Sequence, residues 1–130
     1  MAGPKGSRYY DVFLRQHIEL VKGEESKVLD EEGFRLLVSI KNTDSIVAAA
    51  RELGISYRKA WGLLRQIEQV LGFSLVSKHR GGKDGGKTFL SPEGIELTEA
   101  YSELRSKLDS ALHDHVKSFF NRINKIPVTK

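Results

Sequence analysis

The 130-residue sequence has no cysteine, one methionine, one tryptophan and three prolines. Without cysteine there is no disulfide framework, no thiolate nucleophile and no zinc site built on thiolates, so stability has to come from packing. Long apolar runs are also missing, and the longest fall far short of the roughly 18 residues a bilayer span requires. No apolar stretch follows the small and basic residues Met1 to Arg8, so residues 1–11 read as a loose tail rather than a signal peptide, with a cytoplasmic location and no membrane partner expected. What the middle of the chain lacks is negative charge. The formal net charge is +4, yet between Arg51 and Thr88 eight Lys and Arg stand against three Asp and Glu, leaving 13 against 14 elsewhere. The basic excess is therefore one central block, in a chain long enough for one domain and an appended element.

Val12 to Val21 alternates, with Val12, Leu14, Ile18 and Leu20 on one side and Arg15, His17 and Glu19 on the other. That period of two predicts a half-buried strand. Gly23 to Ser26 reads as a turn, and Lys27-Val28-Leu29 as the returning strand of an N-terminal hairpin. Asp30 is a good N-cap, with Glu31 and Glu32 at the positive end of a first helix that ends near Asn42. Ser45 caps a short second helix stopped by Gly54, and Ser56 caps a third running to about Leu71 and closed by Gly72. A connection this short between the second and third helices is that of a helix-turn-helix. Phe73, Leu75 and Val76 then predict a strand, Gly81 to Gly86 a glycine-rich tip, and Thr88-Phe89-Leu90 the return. Ser91-Pro92 opens a long helix over residues 91–126, which Pro127 ends, leaving 127–130 as a tail.

Winding the third helix at 100° per residue puts Ala60, Leu63, Leu64, Ile67 and Leu71 on one face. Arg58, Gly62, Arg65, Gln66 and Gln69 fall on the other, with Glu68 off to the side. The inner face is core. The outer face carries donors suited to phosphates and base edges, and Gly62 among them permits close backbone approach, as a recognition helix requires. Trp61 lies on the flank, placed either to pack beneath the N-terminal hairpin or to meet DNA sugar edges.

Ser45-Ile-Val-Ala-Ala-Ala-Arg-Glu-Leu-Gly-Ile-Ser-Tyr-Arg-Lys-Ala-Trp61 resembles the helix-turn-helix of ModE-type, molybdate-responsive transcriptional regulators, most tellingly in the run from Ser56. Leu71-Gly72, Arg80 to Gly86 and Leu90-Ser-Pro-Glu-Gly94 resemble that family's wing and following helix, and more loosely those of LysR-type regulators. The resemblance covers about Val12 to Leu108. It implies a mainly α fold: a winged helix-turn-helix over residues 12–90 with an N-terminal β-hairpin and a two-stranded wing, followed by a long C-terminal dimerisation helix. It implies double-stranded DNA as partner. Full-length ModE-type regulators carry molybdate-binding domains after the DNA-binding part, and the sequence stops soon after the linker helix. The expectation is a ModE-like regulator without that domain and without a cofactor, leaving room for a separate effector or sensor protein.

On this reading the third helix enters the major groove by its N-terminal end. Ser56 and Tyr57 hold phosphate, Arg58, Arg65 and Gln66 reach base edges, and Ser45, Lys59 and Gln69 complete the contact set. Lys78, Arg80, Lys83 and Lys87 on the glycine-rich wing lie over the adjacent backbone or minor groove. Leu104, Leu108, Leu112, Val116, Phe119 and Ile123 recur by threes and fours, with a stutter between Leu108 and Leu112. They predict a short irregular coiled coil, because a monomer would leave Leu112, Val116, Phe119, Phe120 and Ile123 exposed. A twofold dimer predicts a pseudo-palindromic operator. The alternative is a winged-helix module for protein interaction or DNA architecture.

Gly81-Gly-Lys-Asp-Gly-Gly-Lys-Thr88 satisfies the spacing of a phosphate-binding loop. Such a loop must follow a strand and open a helix so that backbone amides converge on the phosphates, whereas Phe89-Leu90 continues as a strand. No nucleotide site is expected. His113 and His115 are two residues apart, which on a helix aims them apart rather than at one metal ion. No Ser, His and Asp grouping marks a hydrolase, and the chain reads as a non-enzyme.

Overall fold

A computed structural model describes residues 5–79 and 87–125, the side chains of residues 78 and 79 excepted. In chain order the elements are β1 (Leu20–Lys22), β2 (Ser26–Leu29), α1 (Glu31–Thr43), α2 (Ile46–Leu53), α3 (Tyr57–Leu71), β3 (Val76–His79), β4 (Lys87–Leu90) and α4 (Pro92–Asn124). Among the described residues, contacts separate those within 18–101 from a second unit that combines 5–17 with 102–125.

In the first of these units local chemistry sets the helix ends. The Asp30, Ser45 and Ser56 side chains each accept a hydrogen bond, at 3.0 Å, from the amides of Gly33, Ala48 and Lys59, satisfying donors that a helix start leaves open. Gly54 and Gly72 close α2 and α3 in the left-handed region, at φ 68° and 86°. The core gathers Leu29, Leu36, Leu37, Ile40, Ala49, Ala60, Leu64 and Leu75, all essentially without solvent access. Ala49 and Ala60 are the small members, one from each helix of the helix-turn-helix, and small side chains let two helices pack closely. Phe34 stacks obliquely on Tyr101 at 5.1 Å, fixing the first turns of α4 against α1.

The N-terminal hairpin is shorter than the alternation predicts. Leu20 pairs with Leu29, Val21 with Lys27 and Lys22 with Ser26, with a register shift after Leu20. Residues 12–19 form no strand, and Val12, Phe13 and Leu14 are exposed. Alternation describes one strand only, whereas a ladder needs a partner; β2 ends at Leu29, just before the Asp30 cap, and offers no partner to the residues before Leu20. Ile18 and Leu20 still pack partly against the core, and Lys22 Nζ donates to the Val70 carbonyl of α3 at 3.2 Å.

The second hairpin pairs Val76 with Leu90, Ser77 with Phe89, Lys78 with Thr88 and His79 with Lys87. Phe73 and Leu75, predicted to begin its first strand, precede it instead, with Phe73 exposed and Leu75 buried. Two bonds seat this hairpin: the Thr88 amide donates to Asp44 O at 3.1 Å and the Ser91 amide to Leu75 O at 2.8 Å.

In the other unit, residues 5–17 group with α4 from Ser102 onward. Phe13 and Leu14 line a cavity of about 530 Å³ together with Leu112, His113 and Val116 of the helix. Phe120, expected to be exposed in a single chain, is only 2 % exposed, its ring 5.2 Å from that of Phe119. The helix stops at Asn124; Pro127 lies outside the described residues.

Candidate nucleic-acid interface

α3 carries the face that the winding predicts. Ala60, Leu64 and Ile67 are buried, while Arg58, Gly62, Arg65, Gln66 and Gln69 are all exposed. No carboxylate interrupts that exposed set. Glu68 is occupied at the end of the helix, where its Oε2 accepts from the Leu75 amide at 2.7 Å and from Ser74 Oγ at 3.0 Å. The one acid of α3 thus secures the turn into β3.

The N-terminal end of α3 is electrostatically unusual. Helix starts favour acids, since the unpaired amides leave a partial positive charge. α1 obeys this with Glu31 and Glu32; α3 has no acid in its first turn and places Arg58 and Lys59 there. Lys59 Nζ is drawn to Glu32 Oε2 at 3.3 Å, both groups well exposed, so that pair is a weak one. The serine caps keep a function in reserve: Ser45 Oγ and Ser56 Oγ each use a lone pair to accept the cap bond and keep the O–H to donate. Ser56 is exposed and Ser45 half-buried.

Sequence reasoning placed Trp61 on a flank and missed what it joins. Trp61 is half-buried and packs partly against the core. The Tyr57 ring meets it edge-on at 6.3 Å, and the Arg65 guanidinium lies over its face, 5.3 Å from the ring centroid. The spacing of four residues was the available signal, since side chains one turn apart are neighbours.

In the wing, Lys87 opens β4 and is exposed, next to a buried Thr88. Thr88 pairs with Lys78 across the hairpin, so the phosphate-loop spacing ends in a strand rather than a helix. Lys78 stands in β3, but its side chain lies outside the described residues, as do Arg80, Lys83 and the tip at Gly81 to Gly86. Along α4, Leu104 and Phe119 are exposed, and Leu108, Leu112, Val116 and Ile123 are half-buried. At 100° per residue the six fall within an arc of about 120°. Among the described residues no three His, Asp or Glu side chains form a metal-holding group, and no helix there is long and apolar enough to cross a membrane.

Among the electrostatic details, the Asp30 cap is tuned. Burial raises its carboxyl pKa, but the hydrogen bonds from Lys27 and from the Gly33 amide, with the Lys27 charge, outweigh it and hold the group below its ordinary value. Lys27, bonded at 2.7 Å, is raised by that hydrogen bond and by the Asp30 charge.

The sequence and the fold both have known counterparts. The chain is 38% identical over 87 residues to the molybdenum-pterin-binding protein MopB of Rhodobacter capsulatus, covering 67% of this chain and 32% of that one. It is 39% identical over 85 residues to the molybdenum transport protein ModE of Herbaspirillum seropedicae (65% and 32%). It is 30% identical over 97 residues to the DNA-binding transcriptional dual regulator ModE of Escherichia coli K12 (72% and 37%). The chain thus spans about a third of the length of these relatives. The fold resembles the DNA-binding domain of BenM in complex with its benA site 1 DNA, with a TM-score of 0.52 and 22% identity over 66% of this chain and 91% of that one. It also resembles ArgP from Mycobacterium tuberculosis, with a TM-score of 0.52 and 20% identity over 66% and 30%. Both show the winged-helix fold. The family of bacterial regulatory helix-turn-helix proteins of the LysR type matches residues 32–100, from the first turn of α1 into α4, and the chain belongs to that family.

Proposed function

We propose that the chain is a sequence-specific DNA-binding transcriptional regulator of ModE-like type, acting as a homodimer on a pseudo-palindromic operator, and that it is not an enzyme. The observation that carries this is the exposed face of α3. A helix start that carries Arg58 and Lys59 where acids are favoured, followed by Arg65, Gln66 and Gln69 with no exposed carboxylate among them, is short of negative charge. A DNA phosphate at the helix N-terminus supplies it.

α3 lies in the major groove. The Ser56 hydroxyl, the Tyr57 hydroxyl and the first amides of α3 hold a phosphate, with Ser45 at the start of α2 and Lys59 beside it. Arg58, Arg65 and Gln66 read base edges, arginine against guanine being the commonest pairing, and Gln69 completes the contact set. Lys78, Arg80, Lys83 and Lys87 give affinity from the wing with little sequence information. Leu104, Leu108, Leu112, Val116, Phe119 and Ile123 form the dimer contact along α4, which sets two α3 helices on successive major grooves. The likeness to the ModE and MopB proteins supports the regulator class; since the chain matches about a third of them, no molybdate site is proposed within these residues.

Fluorescence anisotropy tests the proposal, with a duplex enriched by the protein from a random-sequence pool and a scrambled duplex of equal length, each at several salt concentrations. Tight, salt-sensitive binding with preference for the enriched duplex is expected. Equal binding to both duplexes would favour an architectural role, and no binding at low salt a protein-interaction module.

A further inference from the structure

Tyr57, Trp61 and Arg65 stand one helical turn apart and touch in sequence. The Tyr57 and Trp61 rings meet edge-on at 6.3 Å and 78°, and the Arg65 guanidinium carbon sits 5.3 Å from the centroid of the Trp61 ring. The three differ in how they are held. Trp61 is half-buried and packed against the core, whereas Tyr57 is 53 % exposed and Arg65 is exposed. An arginine on an open helix face samples many rotamers, and each is lost when a base fixes the side chain. A guanidinium resting on an indole face is attracted by the ring quadrupole and aligned by its own planarity, so its direction is set before any ligand arrives. Pre-organisation of this kind favours the one base pair that lies in its path and lowers the cost of ordering.

We propose that Trp61 is a specificity-determining positioning residue. Anchored by the core, it holds the Arg65 guanidinium against its face with Tyr57 as buttress, and so fixes the point along the helix where Arg65 meets a guanine edge. The inference rests on the reading of α3 as the recognition helix. Trp61 contacts no base; it acts through Arg65, and the phosphate contacts of Ser45, Ser56, Lys59 and the wing do not depend on it.

Trp61 is the sole tryptophan in the chain, so its emission reports the stack directly. In the free 130-residue protein, Arg65→Ala is expected to change the intensity or wavelength of Trp61 emission; unchanged emission overturns the stack. For binding, the probes are the duplex that the wild-type chain enriches from a random pool and its scrambled counterpart, and the variants are Trp61→Leu, Trp61→Phe, Arg65→Ala and the double variant Trp61→Leu with Arg65→Ala. From the usual strength of a cation–π contact, Trp61→Leu is expected to cut the preference for the enriched duplex by about 3- to 30-fold while scrambled-duplex affinity stays within about 2-fold. Trp61→Phe keeps a ring face and retains most of the preference. Repeating the enrichment with Trp61→Leu should relax the same base position that Arg65→Ala relaxes, and the double variant should be no worse than Arg65→Ala alone. An additive double variant, an unchanged preference in Trp61→Leu, or equal weakening on both duplexes alongside a lowered Tm would each overturn the role. If the wild-type chain has no sequence preference, the recognition-helix reading fails and this inference with it; if that preference is present and survives the Trp61 variants, only this inference fails.

Discussion

A Cβ placed on Gly94 would fall well inside contact distance of the Leu75 carbonyl oxygen. The first turn of α4 therefore lies directly on the backbone entering β3. Ser91 works at the same junction: its amide donates to Leu75 O at 2.8 Å, and its hydroxyl accepts from the Gly94 amide at 3.0 Å and donates to Ser74 O at 3.1 Å. Gly94→Ala is expected to destabilise the fold by about 3 kcal/mol, at the upper end of overpacking costs, because the opposing atom is backbone and cannot rotate away. Urea unfolding followed by circular dichroism checks this through a lowered midpoint at unchanged slope. A loss smaller than about 0.5 kcal/mol would mean that the junction yields.

Glu68 makes a second tie at the same place. Glu68→Ala leaves the part-buried Leu75 amide without its 2.7 Å acceptor, and a loss of about 1–3 kcal/mol is expected. Glu68→Gln keeps a carbonyl oxygen in position and should recover most of it. If the two substitutions cost the same, the charge rather than the acceptor geometry matters.

These two ties mark the boundary of what the sequence could tell. Helix limits were legible because their causes are local: Asp30, Ser45 and Ser56 bond amides three residues on, and Gly54 and Gly72 take up left-handed backbone. The face of α3 was legible for the same reason, a fixed period. Pairing is not local, and the alternation from Val12 to Val21 could not reveal that β2 offers partners only as far as Leu20. Nor could it show that Phe13 and Leu14 lie along α4 with Leu112 and Val116. Within the site, sorting residues into an inner and an outer face separated Trp61 from Arg65, which hid the contact between them.

The cap of α1 gives a pH dependence. Asp30 is held below its ordinary value of 3.8 in the fold, so the native state favours the carboxylate more than the unfolded chain does. Its contribution is fully present above that value and is lost as pH falls through the lower folded pKa. Asp30→Ala is expected to cost about 1 kcal/mol at neutral pH, and the gap from wild type should narrow at strongly acid pH. Asp30→Asn keeps the cap oxygen and should lose less. Thermal unfolding of the three proteins across the acid range checks the order, and a gap that widens with acid would contradict it.

Base reading and phosphate contact should separate by mutation. Arg58→Ala is expected to lose about 1–3 kcal/mol on the enriched duplex and to relax one base position. Lys87→Ala, an exposed wing position, should weaken enriched and scrambled duplexes alike and shallow the salt slope by about one unit. Anisotropy titrations on both duplexes read the difference. Identical behaviour of the two variants would end the division between a reading helix and a positioning wing.

The proposed dimer contact has its sharpest test at Leu112. It is half-buried on the arc from Leu104 to Ile123 and shares a cavity with Phe13, Leu14 and Val116. Leu112→Asp sets a carboxylate in that apolar lining, close to Asp109, which lines the same cavity. Removing one buried leucine side chain from an interface weakens it by about 10- to 100-fold, and an unpaired charge weakens it further. Sedimentation equilibrium should therefore show a dimer in the wild-type chain and a monomer in Leu112→Asp at the same concentration. Binding then distinguishes an interface from a fold defect. A monomer with an intact reading helix should hold a single half-site as wild type does and lose the tighter binding to a two-half-site duplex, together with any dependence on the spacing between half-sites. If Leu112→Asp stays dimeric with its spacing dependence unchanged, the contact lies elsewhere than along this face of α4.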